Sequence, residues 1–332
     1  MNRVWTHSPF SPEARAVLEP LAEIITGTRP PSAEWFELAA TADALIISGI
    51  TLIDGATLDR LGQRVAVVSR PGIGVDMIDA QACTERGVLV VNTPDGPTES
   101  TAEHAIALML NLAKGVAVAD RVLRQCEGFP AYGVLQPGLE LRGATLGLVG
   151  LGRIGGRVAE IARVIGMRVI TYDPFVTRER AAQLGVELAG SLEELLHQAD
   201  VVSLHCPATP ETHHLINATT LAQMKPGSYL VNVARGAIVD EAALADALRS
   251  GHLAGVGMDV FDPEPTIANH ELYQLPNTIC TPHIASYTKA GVLRMQVQSC
   301  EQVAYALRGE RPPHLVNPEV WGHSRIEQRA RS

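Results

Sequence analysis

Short β-branched runs alternate with stretches of helical period along most of the chain, the pattern of parallel strands joined by crossover helices. Residues 43–48 (DALIIS), 65–69 (VAVVS) and 88–91 (VLVV) predict strands, with 54–61 and 76–86 as intervening helices. A long amphipathic stretch follows at 98–124, opened by Pro97 and Thr98 and closed by Gly128 and Pro130. A second α/β unit begins near Leu146, with strands predicted at 146–149, 168–172, 201–205, 229–233 and 256–260, and runs to about residue 287. The last predicted helix covers 289–308 and is capped by Gly309. The terminal HSRIEQRARS is charged and is expected to fray.

Composition narrows this picture. At 332 residues the chain suits two domains of the α/β class better than one. Apolar residues make up 46% of it, charged residues 19%, and the net charge is -9, which argues against disorder and against nucleic acid as a partner. The opening MNRVWTHSPFSPEARAVLEP interleaves charges and prolines where a secretory signal needs an unbroken apolar run. No stretch reaches the roughly 18 apolar residues of a membrane span, so a cytoplasmic protein is expected. Cys83, Cys126, Cys206, Cys280 and Cys300 are scattered and form no CxxC pair, which predicts reduced, mostly buried thiols and neither a disulfide framework nor a metal site.

The strongest motif is GLGRIG at 150–155, directly after the run TLGLV and at the opening of a helical stretch. Gly150 permits a tight turn, Gly152 lets backbone approach a pyrophosphate, and Gly155 allows close helix–strand contact, with the helix N-terminus aimed at negative charge. A lone GxGxxG is weak. Here the strand before it, the helix after it and the acidic Asp173 at the end of the next strand complete the dinucleotide pattern. Asp173 can accept hydrogen bonds from ribose hydroxyls and repels a 2'-phosphate, which favours NAD over NADP. The competing arrangement has Arg178 or Arg180 folding back to receive that phosphate.

Three further motifs lie C-terminal to this turn: VNVARGAIVD at 231–240, GMDVFDPEP at 257–265 and TPHIAS at 281–286. Arg235 and Glu264 each follow a predicted strand, so both should emerge at the carboxyl edge of a sheet, where open α/β folds bind ligands. His283, just after the short apolar NTICTPH, can join them. Taken singly, each has a bland reading: a surface cation, a loop carboxylate and a satisfied histidine.

Taken together, GLGRIG, YDP, NVARGAIVDEAAL, GMDVFDPEP and TPHIAS resemble the D-isomer-specific 2-hydroxy-acid dehydrogenase family. The segments SRPGIGVD at 69–76, VNTPD at 91–95 and STAEH at 100–104 resemble it too, so the likeness covers about residues 43–309. It implies a Rossmann-type NAD-binding domain at 98–287 inserted in a flavodoxin-like substrate domain at 1–97 and 288–332. It implies His283 as proton donor and acceptor, Glu264 as its orienting partner and Arg235 as the substrate-anchoring cation. Arg70 and the loop Gly72, Ile73 and Gly74 are implied at the substrate, with loop backbone on its carboxylate. Arg153 and Ile154 are implied over the pyrophosphate, Cys206, Val233 and Ser286 elsewhere along NAD, and Asp259 at the nicotinamide amide. A homodimer is also implied, built on the apolar stretch 98–132.

The chemistry accounts for these residue types. Hydride transfer to a keto carbon leaves an alkoxide, which is stabilised if an acid delivers a proton as charge develops. A carboxylate beside His283 keeps the imidazolium available, and the fork of Arg235 can hold both the carboxylate and the carbonyl of a keto acid. Formate dehydrogenases resemble this family but carry glutamine at the position of Glu264. Phosphoglycerate-specific members carry an arginine in the segment matching residues 47–51, which here reads ISGIT. D-3-phosphoglycerate is therefore the alternative, and hydroxypyruvate or glyoxylate the leading substrates. A rival from another class is an NAD-sensing, corepressor-like regulator on the same scaffold, told apart by NADH binding without turnover of any keto acid.

Overall fold

A computed structural model describes residues 1–49, 51–125 and 137–331 of the chain. It divides into two compact units, Met1–Pro97 with Thr288–Ser332, and Thr98–Tyr287. No helix among the described residues is long and apolar enough to cross a membrane.

The first unit is built on a parallel sheet of five strands: β1 (Asn2–Thr6), β2 (Ala22–Thr26), β3 (Ala44–Ile46), β4 (Val67–Arg70) and β5 (Leu89–Asn92), in the order β2-β1-β3-β4-β5. Strand β4 and the edge strand β5 are each buried over their first three residues, which is why they read as apolar runs rather than alternating ones. One face is covered by Leu18, Val303, Ala304 and Ala306, the other by Trp35, Leu58, Leu61 and Cys83. The Lys289–Leu307 helix therefore returns the chain, after the second unit, to the core it left at Pro97.

The second unit carries seven parallel strands: β6 (Thr145–Val149), β7 (Arg168–Tyr172), β8 (Glu187–Leu188), β9 (Val201–Leu204), β10 (Ser228–Asn232), β11 (Leu253–Met258) and β12 (Thr278–Cys280). The order β12-β11-β10-β9-β6-β7-β8 reverses direction at β6, and such a switch point opens a crevice at the carboxyl ends of the strands. Buried clusters on the two faces contain Leu108, Leu146 and Val158 on one side and Leu195, Leu230 and Val256 on the other.

Several expectations change. Strands β1 and β2 and the helices Pro12–Leu18 and Ala33–Ala39 precede the first element read from the pattern. In β1, Asn2 and Arg3 dilute the apolar run, and in β2 the exposed Glu23 and the half-buried Ile24 and Ile25 mark an edge. The stretch 98–124 is two helices, Thr98–Lys114 and Val116–Gln125, separated where Gly115 adopts φ +62°. Its predicted end at Gly128 and Pro130, the remainder of the apolar stretch to residue 132, and Cys126 lie outside the described residues. The C-terminus does not fray as expected: Arg325–Arg331 is a helix in which Arg325 and Ile326 are buried. The Arg325 guanidinium donates from Nη1 to the carbonyls of Gly62 (2.9 Å) and Val65 (2.8 Å), and Arg329 donates to the buried Asp43 (3.0 Å). Those bonds decide the outcome, since charge otherwise opposes burial. Arg325→Ala should destabilise the protein by about 1.5–3 kcal/mol, the typical cost of losing bonds made by a charged donor, as read by denaturant unfolding.

Candidate active site

The glycine motif forms the turn between β6 and the Arg153–Val164 helix. Gly150 takes φ +97°, and a Cβ there would stand 2.9 Å from the amide nitrogen of Cys206. A Cβ on Gly155 would press directly on the Gly150 carbonyl. These two glycines let helix and strands approach, whereas a Cβ on Gly152 would meet nothing within 4 Å. Gly152 caps the helix without any side-chain bond, so the open space there faces uncapped backbone amides. That combination fits the pyrophosphate of a dinucleotide.

Asp173, just past β7, accepts from the amides of Leu151 (2.8 Å) and Phe175 (2.9 Å). It thus ties the glycine turn to the next strand, and a carboxylate with two such bonds retains acceptor positions for ribose hydroxyls. Arg178 and Arg180 are exposed on the helix that follows. Arg153 is exposed and Ile154 half-buried at the first turn of the glycine-motif helix; Cys206 and Ser286 are half-buried and Val233 is buried, each beyond the end of its strand. Burial pushes the Cys206 and Cys280 thiols up to about 11 and those of Cys83 and Cys300 up to about 12, so none of these is a nucleophile near neutral pH.

Arg235, Glu264 and His283 follow β10, β11 and β12, three adjacent strands that all end at the same edge. His283 Nδ1 lies 2.7 Å from Glu264 Oε2, and Glu264 Oε1 accepts from the Phe261 amide at 2.9 Å. Burial alone would raise the Glu264 carboxyl, but the His283 bond and charge, the Phe261 amide and Arg235 outweigh it and hold the group below its ordinary value. The ionised form therefore persists through the ordinary glutamate range and is lost only as pH falls through the depressed value. The His283 side chain is 46% exposed, enough to meet a substrate while its Nδ1 is engaged.

The backbone of His283 is left-handed at φ +53°, an uncommon state for a non-glycine residue that its surroundings must enforce. Its amide donates to the Asp259 carbonyl at 2.7 Å. The Asp259 carboxylate, fully buried, accepts from Thr281 Oγ1 (2.6 Å), the Ile284 amide (2.9 Å) and the Ala285 amide (2.8 Å). His104, which no motif argument singled out as a site residue, approaches the same group, with Nε2 3.1 Å from Thr281 Oγ1 and 3.6 Å from Asp259 Oδ1. Another histidine at this edge, His205, is driven down to about 4 by burial and is neutral near pH 7.

In the first unit, Arg70 ends β4 and donates from Nε to the Gly74 carbonyl (3.3 Å) and from Nη1 to the Gly49 carbonyl (2.9 Å). Gly72, at φ +139°, donates its amide to Thr93 Oγ1 at 2.6 Å, so that amide is committed within the fold. The amides of Ile73 and Gly74 make no such bond among the described residues, and Ile73 is 37% exposed.

One contact sets the spacing of the catalytic candidates. A Cβ on Gly236 would fall directly on the carbonyl group of Phe261, so only glycine lets the Arg235 loop lie against the segment that carries Glu264. Gly236→Ala should cost about 1–3 kcal/mol of stability, as overpacking does, and should lower turnover by displacing Arg235 from Glu264. Unfolding and steady-state rates measured on the same preparation test both halves.

Comparison with known proteins agrees with this geometry. Residues 106–285 match the family model described as D-isomer specific 2-hydroxyacid dehydrogenase, NAD binding domain. D-3-phosphoglycerate dehydrogenase of Mycobacterium tuberculosis is 41% identical over 308 residues, which is 93% of this chain but 57% of that protein. The chain thus spans little more than half the length of that relative. Glyoxylate reductase of Aeropyrum pernix is 40% identical over 327 residues, 96% of each chain. The solved structure of D-lactate dehydrogenase from Aquifex aeolicus, complexed with NAD and lactic acid, is 32% identical with a TM-score of 0.81, covering 95% of this chain and 99% of that one. The chain therefore belongs to the D-isomer-specific 2-hydroxyacid dehydrogenase family and carries its NAD-binding domain.

Proposed function

We propose that the chain is an NAD-dependent oxidoreductase interconverting a small D-2-hydroxy acid and its 2-keto acid, with Arg235, Glu264 and His283 as its catalytic side chains. The observation that carries this reading is the 2.7 Å contact between His283 Nδ1 and the depressed carboxyl of Glu264. Because Nδ1 is turned to the carboxylate, Nε2 is the atom left to move a proton to or from the substrate oxygen. Glu264 stabilises the imidazolium before reduction and fixes the ring orientation throughout. Arg235 orients the substrate through its carboxylate and polarises the carbonyl with the same donor fork. The amides of Ile73 and Gly74 are the loop donors left for the substrate carboxylate, since that of Gly72 is already bonded to Thr93. NAD supplies the hydride for reduction and receives it in oxidation. Gly150, Gly152, Arg153, Ile154 and Gly155 would hold its pyrophosphate, and Asp173 its adenosine ribose.

Cofactor choice tests the Asp173 assignment. NADH should be used in clear preference to NADPH, and Asp173→Ala should narrow that preference by removing repulsion of the 2'-phosphate. Equal use of both by the unaltered protein would assign the pocket to Arg178 or Arg180 instead.

The catalytic set is tested by NADH oxidation with a panel of 2-keto acids that includes hydroxypyruvate and glyoxylate. His283→Asn should retain NADH binding and lose about 10² to 10⁴ in turnover, the usual worth of a positioned acid. Glu264→Gln keeps the size of the side chain but removes the charge beside His283, and should lower kcat while NADH binding is retained. Arg235→Lys should raise KM and lower kcat together, since charge survives but the fork does not. NADH binding with no turnover of any keto acid would identify a nucleotide sensor rather than an enzyme.

A further inference from the structure

The second unit contains a nearly buried acid–base pair that the reaction chemistry does not use. Glu241 opens the Glu241–Arg249 helix, and His270 caps the short Glu271–Gln274 helix. His270 Nε2 lies 2.8 Å from Glu241 Oε2, with the histidine side chain 11% and the glutamate side chain 12% exposed. His270 Nδ1 accepts from the Leu272 amide at 3.4 Å, so Nε2 carries the hydrogen and donates to the carboxylate. The other oxygen, Glu241 Oε1, accepts from the Asp262 amide at 3.1 Å.

The Asp262 bond counts because the segment around Glu264 offers few donors. In FDPEP at 261–265, Pro263 and Pro265 have no amide hydrogen, so the backbone can be held only through the amides of Phe261, Asp262 and Glu264. Phe261 gives its amide to Glu264 Oε1, and Asp262 gives its amide to Glu241. The Phe261 ring stands edge-on to His270 and Tyr273, with centroids 5.6 and 5.5 Å away. Glu241 and His270 thus grip the residues just before Glu264, one by a hydrogen bond and the other by ring contact. Burial pushes the Glu241 carboxyl above its ordinary value, and the Asp262 amide and His270 offset this only in part. For stability alone a well-packed apolar pair would serve as well, but an apolar pair could not accept the Asp262 amide.

We propose that Glu241 and His270 are positioning residues for proton transfer, which fix the Phe261–Asp262 backbone and through it the carboxylate of Glu264 against His283. This rests on the dehydrogenase reading above and adds two residues to its machinery. The Phe261 amide orients one carboxylate oxygen of Glu264, which leaves the other for His283 Nδ1. A loosened Asp262 frees that amide and lets the carboxylate drift from the imidazole, without removing any group assigned to substrate or NAD.

The test combines steady-state kinetics with amide exchange on the NAD-loaded protein. Glu241→Gln keeps the size of the side chain but cannot accept from both Asp262 and His270, since one end of its amide is a donor. His270→Asn keeps a cap for the Leu272 amide and is too short to reach Glu241. Each should lower kcat for keto-acid reduction about tenfold, the effect of one hydrogen bond to a charged group, while KM for the keto acid and the affinity for NADH stay unchanged. In a Glu264→Gln background the same substitutions should change kcat by less than about twofold, because the group they position is already lost. Exchange of the Phe261 amide, followed by NMR, should accelerate about tenfold in either variant. An equal fall of kcat in both backgrounds, or no change in kcat or in Phe261 exchange, overturns the positioning role and leaves the dehydrogenase reading standing. No turnover of any keto acid by the unaltered protein, with Phe261 exchange still accelerated by Glu241→Gln, overturns the reaction and leaves the hold on the Glu264 segment standing.

Discussion

The carboxylate of Asp259 lies beneath the loop after β12, out of contact with water, and accepts hydrogen bonds from Thr281, Ile284 and Ala285. A buried charge is tolerated only when its acceptor positions are filled, so these bonds leave the loop little freedom. Between the anchored residues sits His283, its left-handed backbone held by the Asp259 carbonyl. The chain thereby directs the imidazole toward Glu264 without relying on the side-chain pair alone. Asp259 is thus the anchor of the loop that carries His283, and His104 and Thr281 extend that anchor toward the Thr98–Lys114 helix.

Backbone packing imposes a second constraint. Where two loops must touch, the chain places glycine: Gly155 against the Gly150 carbonyl and Gly236 against the Phe261 carbonyl. The first contact leaves a helix terminus open at Gly152, and the second brings the Arg235 loop to the Glu264 segment. Both approaches depend on the absence of a Cβ at these contacts. Both also depend on the parallel arrangement of the seven strands, which sends every loop concerned to one edge.

Much of this was legible in the sequence, for physical reasons. Parallel strands buried on both faces announce themselves as apolar runs, and the β7 bounds agree with the pattern residue for residue. The positions of the glycine motif, Asp173, Arg235, Glu264 and His283 beyond strand ends were readable because the apolar runs before them mark the strands. The sequence could not reveal β1 and β2, whose polar and edge positions dilute the apolar signal, nor the helix at the C-terminus, which forms because Arg325 and Arg329 find partners far away in the chain. Nor could it show that Gly72 commits its amide to Thr93, that Asp259 anchors the His283 loop with His104 beside it, or that His7 meets Ser48. Strand type and motif chemistry are local properties written in neighbouring residues. Hydrogen-bond partners and net local charge depend on which distant segments the fold brings together, and those only the tertiary structure decides.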